Sequence, residues 1–251
     1  MLAIFNPKFK FLENSVHNFI KNFHSSGTLL VKGNRNTIRL FPADSLTLNI
    51  KAFKVPHFLN QIIYKYFRPS KARRSFEYAT LLLEKGIGTP EPIAFVENFS
   101  AVGLLDSYYV SEHINADLTF RELVEIPSFA NHEEILRAFT RFCFKIHEKG
   151  IEFLDHSPGN TLVTSTGNQY NFYLVDLNRM KFHANMSFDQ RMKNLSRLTP
   201  KREMVEVMSN EYSKLYNKSE AEIFSKMWGF TEAFQSRFHR KAALKKSIKL
   251  S

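Results

Sequence analysis

Hydrophobic and polar residues alternate in short runs over the first half of the chain and recur at helical spacing over most of the second half. Residues 46–51 alternate apolar and polar side chains, which is typical of a strand with one buried face. Two more β-rich runs, 28–32 and 37–41, flank the turn-forming sequence Gly-Asn-Arg-Asn at 33–36. These three runs predict an antiparallel meander.

Helices and further strands complete the predicted first half. Apolar residues at spacings of three and four predict a helix after the Asn6-Pro7 pair and two more before residue 86. The predicted helices cover 7–26, 56–67 and 70–85, and the remaining strands cover 2–5, 93–97 and 107–112.

The second half is predicted to be mainly helical. From Phe120 onward helices dominate, notably 133–150, and the only late strands predicted are 161–165 and 170–176, joined through Gly167-Asn168. We therefore expect an α+β chain of two lobes, 1–112 and 113–251, with a boundary near 112–116.

Composition and charge narrow the class of protein. The 251 residues are 43% hydrophobic and 24% charged, which is ordinary for a globular protein and excludes a disordered or collagen-like chain. The net charge of +11 favours partners that carry phosphate, or an anionic membrane surface. One cysteine, Cys143, excludes an intrachain disulfide, and no apolar run reaches the length of a membrane span. We expect a cytoplasmic protein that is soluble or lies on the inner face of the membrane.

Three oxygen-bearing residues indicate the chemistry. Asp155 and Asn160 lie five residues apart on a predicted loop, and Asp176 ends the strand pair that follows. In phosphoryl transfer one carboxylate meets the acceptor hydroxyl while other oxygens hold a metal ion. An Asp and an Asn five residues apart occur by chance in many proteins. The prediction of phosphoryl transfer therefore depends on the whole succession of helix, Pro-Gly turn, strand, Gly turn and acid.

This succession resembles the catalytic loop of the protein-kinase-like fold. Together with RRSFEYA at 73–79 and LLEKGIGTPEPI at 82–93, it resembles the bacterial lipopolysaccharide kinases that phosphorylate Kdo or heptose of the inner core. The resemblance covers about residues 28–197. It implies a bilobal fold with a small antiparallel-sheet N-lobe that has one main helix, a mainly helical C-lobe, and the use of ATP and Mg²⁺.

The resemblance also assigns roles to single residues. Asp155 is implied to be the catalytic aspartate, Asn160 and Asp176 the metal ligands, and Lys51 the lysine on the ATP phosphates, oriented by Glu77. The remaining residues implied to bind nucleotide are Gly33 and Arg35 in the phosphate loop, and Val110, Glu112 and His113 at the hinge beside adenine.

Two of these roles have alternatives in the sequence. Lys54 lies three residues after Lys51 and is a second candidate for the phosphates. Glu77 has Arg73 four residues before it, a spacing that also forms an ordinary ion pair on a helix surface.

Departures from the family pattern affect the expected substrate. Phe153 stands where a histidine usually precedes the catalytic aspartate, Leu177 and Asn178 follow Asp176, and the phosphate loop has a single glycine. No Ala-Pro-Glu segment follows, which argues against a protein substrate. The expected acceptor is the sugar of a lipopolysaccharide precursor.

Other residues have several interpretations. We interpret His147 as a structural residue at a helix end, whereas His156 either contacts an anionic acceptor or is structural. The aromatic stripe of Trp228, Phe230, Phe234 and Phe238 predicts core packing of the last helix.

Basic residues cluster in two acid-free segments. Residues 45–76 contain seven Lys or Arg, and residues 233–251 contain six. The second cluster, which includes Arg237, Arg240, Lys241 and Lys245, suits an anionic membrane surface. The alternatives to a sugar kinase are a kinase of another small molecule or of a protein, and a non-catalytic basic scaffold or nucleic-acid-binding protein on a pseudokinase fold. For the sugar kinase itself, no nucleic acid partner is expected.

Overall fold

The computed structural model describes residues 1–167 and 169–250, with side chains as far as residue 243. The chain forms two compact units. The first contains Met1–Asn115 and Asp176–Asn178, and the second contains Ala116–Val175 and the chain from Arg179 onward. The α+β class predicted from the sequence is confirmed.

A six-stranded antiparallel sheet forms the first unit, with the strand order β1-β5-β6-β4-β3-β2. The strands are β1 (Leu2–Phe5), β2 (Thr28–Lys32), β3 (Asn36–Ala43), β4 (Leu46–Phe53), β5 (Pro92–Phe99) and β6 (Leu104–Glu112). The helices are a 3₁₀ helix (Pro7–Leu12), α1 (Glu13–Lys21), α2 (Phe58–Tyr66) and α3 (Lys71–Glu84). The predicted meander is β2, β3 and β4.

The two faces of this sheet have different neighbours. Leu48 and Ile50 of β4 are fully buried in a core that includes Val16 of α1. Lys51 lies opposite Tyr109 of β6, which in turn lies opposite Phe95 of β5. The ring of Phe95 contacts Phe76 of α3, with centroids 5.5 Å apart. Since side chains directly opposite each other share a face, Lys51 lies on the α3 face of the sheet.

The second unit is mainly helical, as predicted. Its helices are α4 (Phe120–Glu125), α5 (His132–Glu148), α6 (Phe188–Leu195), α7 (Arg202–Ser213) and α8 (Glu220–Leu250). Its strands are β7 (Leu118–Thr119), β8 (Ile151–Phe153), β9 (Thr161–Thr166), β10 (Gln169–Leu174) and β11 (Met180–Phe182). β7, β9 and β10 form one sheet, and β8 pairs with β11.

Two predictions about the late strands were wrong. The prediction of only two strands missed β7, β8 and β11, which are two or three residues long. The second predicted strand ends at Leu174, so Asp176 lies beyond it. Asn168, predicted with Gly167 to join the two strands, lies outside the described residues.

Helix α5 is fixed near its end by a buried histidine. His147 Nδ1 lies 3.0 Å from the Tyr212 hydroxyl, and Nε2 lies 3.2 Å from Asn194 Oδ1. Burial lowers the pKa of His147 to about 3, so the imidazole is neutral. The interpretation of His147 as a structural residue is confirmed.

The last helix is only partly buried. Ile223, Met227 and Thr231 form its buried stripe, and Trp228 and Phe230 pack at the edge of the core. Phe238 is 58% exposed, so the prediction that the aromatic stripe is entirely core packing was wrong. The side chain of Lys245 lies outside the described residues.

An acidic residue links α5 to α7. Glu211 forms ion pairs with Arg137, Arg141 and Lys214. Burial alone would raise its pKa, but the pairs with Lys214, Arg141 and Arg137 outweigh burial and lower the pKa to about 2.

Glu211 predicts a pH dependence of stability. The pKa of Glu211 is lower in the folded protein than in the unfolded chain, where it is about 4.5. The ionised Glu211 therefore stabilises the fold fully above pH 4.5, and this contribution is lost as the pH falls from 4.5 toward 2. Over this window the wild type is expected to lose up to about 3 kcal/mol more unfolding free energy than Glu211→Gln. Urea unfolding at several pH values measures the difference, and parallel pH profiles would contradict it.

Gly150 lies directly before strand β8 and is held close to His183. Its φ is +70°, and a Cβ there would collide with the backbone carbonyl of His183. Gly150→Ala is therefore expected to lower the unfolding free energy by about 3 kcal/mol or more. The matched control is Gly167→Ala, because Gly167 has φ +59° but open space around it, so only backbone strain of about 1 kcal/mol applies. If thermal or urea unfolding showed the same loss of unfolding free energy for Gly150→Ala and Gly167→Ala, the steric argument would be contradicted.

Candidate active site

A buried lysine and an aspartate form the centre of the candidate site in the first unit. Lys51 is 9% exposed, and its Nζ lies 2.6 Å from Asp176 Oδ1. The two residues are 125 positions apart in sequence. A buried ammonium group needs a charged partner, because its desolvation is otherwise costly, and the Asp176 carboxylate is that partner.

The backbone of Asp176 has an uncommon conformation. Its φ is +60°, in the left-handed region that non-glycine residues seldom adopt, although Asp tolerates it better than most. Asn178 Nδ2 donates to Asp176 Oδ1 at 2.8 Å, the oxygen that also meets Lys51. Within the described part of the chain no hydrogen bond reaches Oδ2. The carboxylate thus keeps one oxygen for a further ligand.

Lys71, the first residue of α3, belongs to the same electrostatic environment. Burial lowers the pKa of Lys71, and repulsion from Arg35, Arg74 and Lys51 adds to this effect, while attraction from Asp176 opposes it. The sequence analysis had counted Lys71 only within a basic run. No local signal distinguished it, because its position depends on the packing of α3 on the sheet.

Basic residues also line a pocket of about 400 Å³ in the first unit. Arg35, Lys54, His57 and Lys71 line it, together with apolar and polar side chains, and no Asp or Glu does. Such a pocket attracts anionic groups.

Lys51 and Lys54, the two candidates for the lysine on the ATP phosphates, differ in burial and in contacts. Lys51 is buried and ion-paired, whereas Lys54 is exposed at the pocket and its N–H donates to the Arg35 carbonyl at 3.0 Å. In the turn before β3, the Gly33 N–H donates to the Asn36 carbonyl at 3.0 Å, and Gly33 and Arg35 are both exposed.

Glu77 does not meet Lys51 in this structure. Its carboxylate accepts from Arg73 Nε at 2.7 Å, and its side chain is exposed on the surface of α3. This is the local pair that the spacing of four residues allowed. Lys51 is oriented by Asp176 instead.

The predicted hinge has its N–H groups already in use. Val110 is fully buried in the core of the first unit. The Glu112 N–H donates to the Glu91 carbonyl at 2.9 Å, and the His113 N–H donates to the Thr47 carbonyl at 2.8 Å. These two N–H groups are therefore not free for adenine in this structure.

In the second unit, Asp155 is held by two arginines that the sequence analysis did not identify. Arg179 Nη1 lies 3.0 Å from Asp155 Oδ1, and Arg197 Nη1 lies 3.3 Å from the same oxygen. Arg197 Nη1 also donates to the Leu154 carbonyl at 2.8 Å. Both arginines fix the orientation of the carboxylate.

Asn160 closes the loop on which Asp155 lies. Its Nδ2 donates to the Asp155 carbonyl at 2.8 Å, and its own backbone carbonyl accepts from the Val175 N–H at 3.0 Å. No hydrogen bond from the described residues reaches its Oδ1. The amide is therefore fixed through its nitrogen, and its oxygen remains an acceptor.

His156 is a core residue and not a surface group. It is 1% exposed, and its ring lies 5.5 Å from the Phe153 ring and 5.8 Å from the Phe139 ring. Burial lowers its pKa to about 4, so it is neutral. The interpretation that His156 contacts an anionic acceptor was wrong. Phe153 is fully buried beside it, and its carbonyl accepts from Asn194 Nδ2 at 2.8 Å.

Comparisons by sequence find nothing: no protein-family model and no curated protein matches the chain. By structure, the chain is similar to a solved protein described as "WaaP in complex with acyl carrier protein", with a TM-score of 0.65 and 16% identity. The match covers 96% of this chain and 99% of that one. The chain shares the fold of WaaP. The coverage includes both units, so the WaaP fold accounts for nearly the whole chain, and the kinase-like fold predicted from the sequence is confirmed.

Proposed function

We propose that the protein is an ATP-dependent phosphotransferase that acts on an alcohol group, the sugar hydroxyl of Kdo or heptose in a lipopolysaccharide inner-core precursor. The observation that carries the proposal is the ion pair of buried Lys51 with partly exposed Asp176 within the WaaP fold.

Each unit contributes different parts of the proposed chemistry. Lys51 neutralises charge on the α- and β-phosphates, and Lys71, which interacts electrostatically with both members of the pair, attracts the same anionic group. Asp155 orients the acceptor hydroxyl and receives its proton, and Arg179 and Arg197 fix the carboxylate for that task.

The oxygens of Asp176 and Asn160 fit Mg²⁺. Magnesium prefers hard oxygen ligands and usually takes one or two from the protein and the rest from phosphate and water. Asp176 Oδ2 and Asn160 Oδ1 are such oxygens, and the Val175 N–H bond to Asn160 fixes the residue directly before Asp176. When bound, the metal neutralises charge on the transferring phosphoryl group. No group of three or more His, Cys, Asp or Glu suited to a metal occurs among the described residues.

The location proposed for the reaction is the inner face of the cytoplasmic membrane. No helix in the described part of the chain is both long and apolar enough to cross a bilayer. The net charge of +11 supports attachment to an anionic surface, where a glycolipid acceptor lies.

The deciding experiment measures ATP consumption by the purified protein with Mg²⁺ and purified inner-core glycolipid, free Kdo, heptose, or no acceptor. Acceptor-dependent turnover that requires Mg²⁺ is expected, with a phosphorylated sugar as product. Lys51→Met should abolish it. Nucleic acid binding that falls steeply with salt, without metal-dependent turnover, would replace this proposal with the non-catalytic scaffold.

A further inference from the structure

Helix α2 exposes an apolar surface. Leu59 is 73% exposed and Phe67, directly after the helix, is 81% exposed. The other large apolar residues exposed on the helix or beside it are Val55, Phe58, Ile63 and Tyr66. We call these six residues the α2 apolar surface. On a helix with 100° per residue, Phe58, Leu59, Ile63 and Tyr66 fall within one half of the circumference.

The opposite half of α2 is attached to the protein by polar contacts. Gln61 Nε2 donates to the Pro56 carbonyl at 2.9 Å, and Lys65 Nζ donates to the Ser100 and Ala101 carbonyls at 3.1 and 2.6 Å. A Cβ at Gly103 would come within 2.7 Å of the Gln61 backbone, so the helix lies tightly against the β5–β6 turn.

This arrangement inverts the usual rule for a surface helix. An amphipathic helix normally turns its apolar side to the core and its polar side to water. No residue of α2 is buried. A contiguous exposed apolar surface of this kind marks an interaction site.

The charges around α2 identify the partner. Residues 45–76 contain seven Lys or Arg and no acid. Exposed Lys54 and Arg68 lie just before and just after the apolar residues. Aromatic and aliphatic side chains with flanking basic residues are typical of helices that lie in the interface of an anionic bilayer. A second copy of the chain is disfavoured, because two such segments would bring like charges together.

We propose that α2 docks the protein on an anionic lipid bilayer, with the α2 apolar surface inserted among the headgroups and Lys54 and Arg68 on lipid phosphates. Val55 of this surface and the neighbouring Lys54 also line the basic pocket, whereas Leu59 and Phe67 do not. Asn60 and Tyr64 of the same helix line the basic pocket. If the proposed kinase function holds, docking brings that pocket to the surface where a glycolipid acceptor lies.

The test is co-sedimentation of the full-length protein with vesicles of phosphatidylcholine, alone or mixed with phosphatidylglycerol. Wild-type binding is expected to require phosphatidylglycerol and to weaken with salt. The double variant Leu59→Ser with Phe67→Ser is expected to bind at least about tenfold more weakly. Both side chains are exposed, so the circular dichroism and melting temperature should match the wild type.

A control makes the same Phe→Ser and Leu→Ser changes at exposed apolar residues elsewhere. Phe11 is 66% exposed and Leu215 is 41% exposed. Phe11→Ser with Leu215→Ser should bind vesicles like the wild type. The proposal is overturned if the α2 variant binds vesicles like the wild type. It is also overturned if the α2 variant and the control variant lose vesicle binding to the same extent.

Two other partners give separate outcomes. Dimerisation of the wild type by light scattering that the α2 variant loses, without vesicle binding, would assign the surface to self-association. Binding of purified acyl carrier protein that the α2 variant loses, again without vesicle binding, would assign it to a protein partner. Either result overturns lipid docking. Vesicle binding does not use turnover, so a failure of the kinase proposal would leave this test unaffected.

Discussion

Asp176→Asn is expected to abolish phosphate transfer while the protein remains folded. The amide removes the negative charge that meets Lys51 Nζ at 2.6 Å and weakens the oxygen ligand proposed for Mg²⁺. Because the side chain keeps its size and Asn tolerates the left-handed backbone as well as Asp does, the fold should not change. The loss of turnover is expected to be about a thousandfold or more.

The matched control is Asp106→Asn in the same unit. Asp106 also accepts a hydrogen bond from an asparagine, at 2.6 Å from Asn98 Nδ2, but it forms no ion pair within the described residues. Its replacement should leave turnover near the wild-type level. Product formation is measured at saturating ATP over a range of Mg²⁺ concentrations, with circular dichroism on each variant. Wild-type turnover by Asp176→Asn would remove Asp176 from the site.

The environment of Lys51 could be predicted from the sequence only in part. The alternation of 46–51 correctly placed Lys51 on the face opposite to Leu48 and Ile50, because the period of a strand fixes the face. It could not show which face carries the site, since that depends on where α1 and α3 pack. The partner of Lys51 lies 125 residues away, and no local pattern encodes such a contact.

Shorter elements were less predictable. β7, β8 and β11 have two or three residues, too few for a period to appear, and they form only because a distant strand completes each pair. Similarly, Arg179 and Arg197 reach Asp155 from 24 and 42 residues away. By contrast, Arg73 and Glu77 lie one helical turn apart, and the pair that their spacing allowed is the one present.

The role of Asp155 gives the second large expected effect. In a loose phosphoryl-transfer transition state the bond to the nucleophile is little formed, so the carboxylate mainly orients the hydroxyl and receives its proton late. Asp155→Ala is therefore expected to lower sugar phosphorylation by about a hundredfold or more. ATP affinity should remain near normal, because Lys51, Asn160 and Asp176 are unchanged.

Two further variants separate the chemistry from the loop structure. Asp155→Asn retains an oxygen for Arg179 and Arg197 and should lose turnover as Asp155→Ala does. Asp117→Ala is the matched control, because Asp117 is an exposed loop aspartate of the same unit that accepts from the Ser165 N–H and hydroxyl. It should retain turnover.

The assignment of Asp155 requires that Asp155→Ala loses turnover but retains its affinity for ATP. Titration calorimetry measures the ATP affinity. If ATP affinity falls together with turnover in a folded Asp155→Ala protein, Asp155 maintains the loop through Arg179 and Arg197. Rescue of turnover by Asp155→Asn would lead to the same conclusion, since an amide can orient these side chains but cannot accept the proton. Only the loss of turnover in both variants, with ATP affinity retained, places Asp155 at the acceptor hydroxyl.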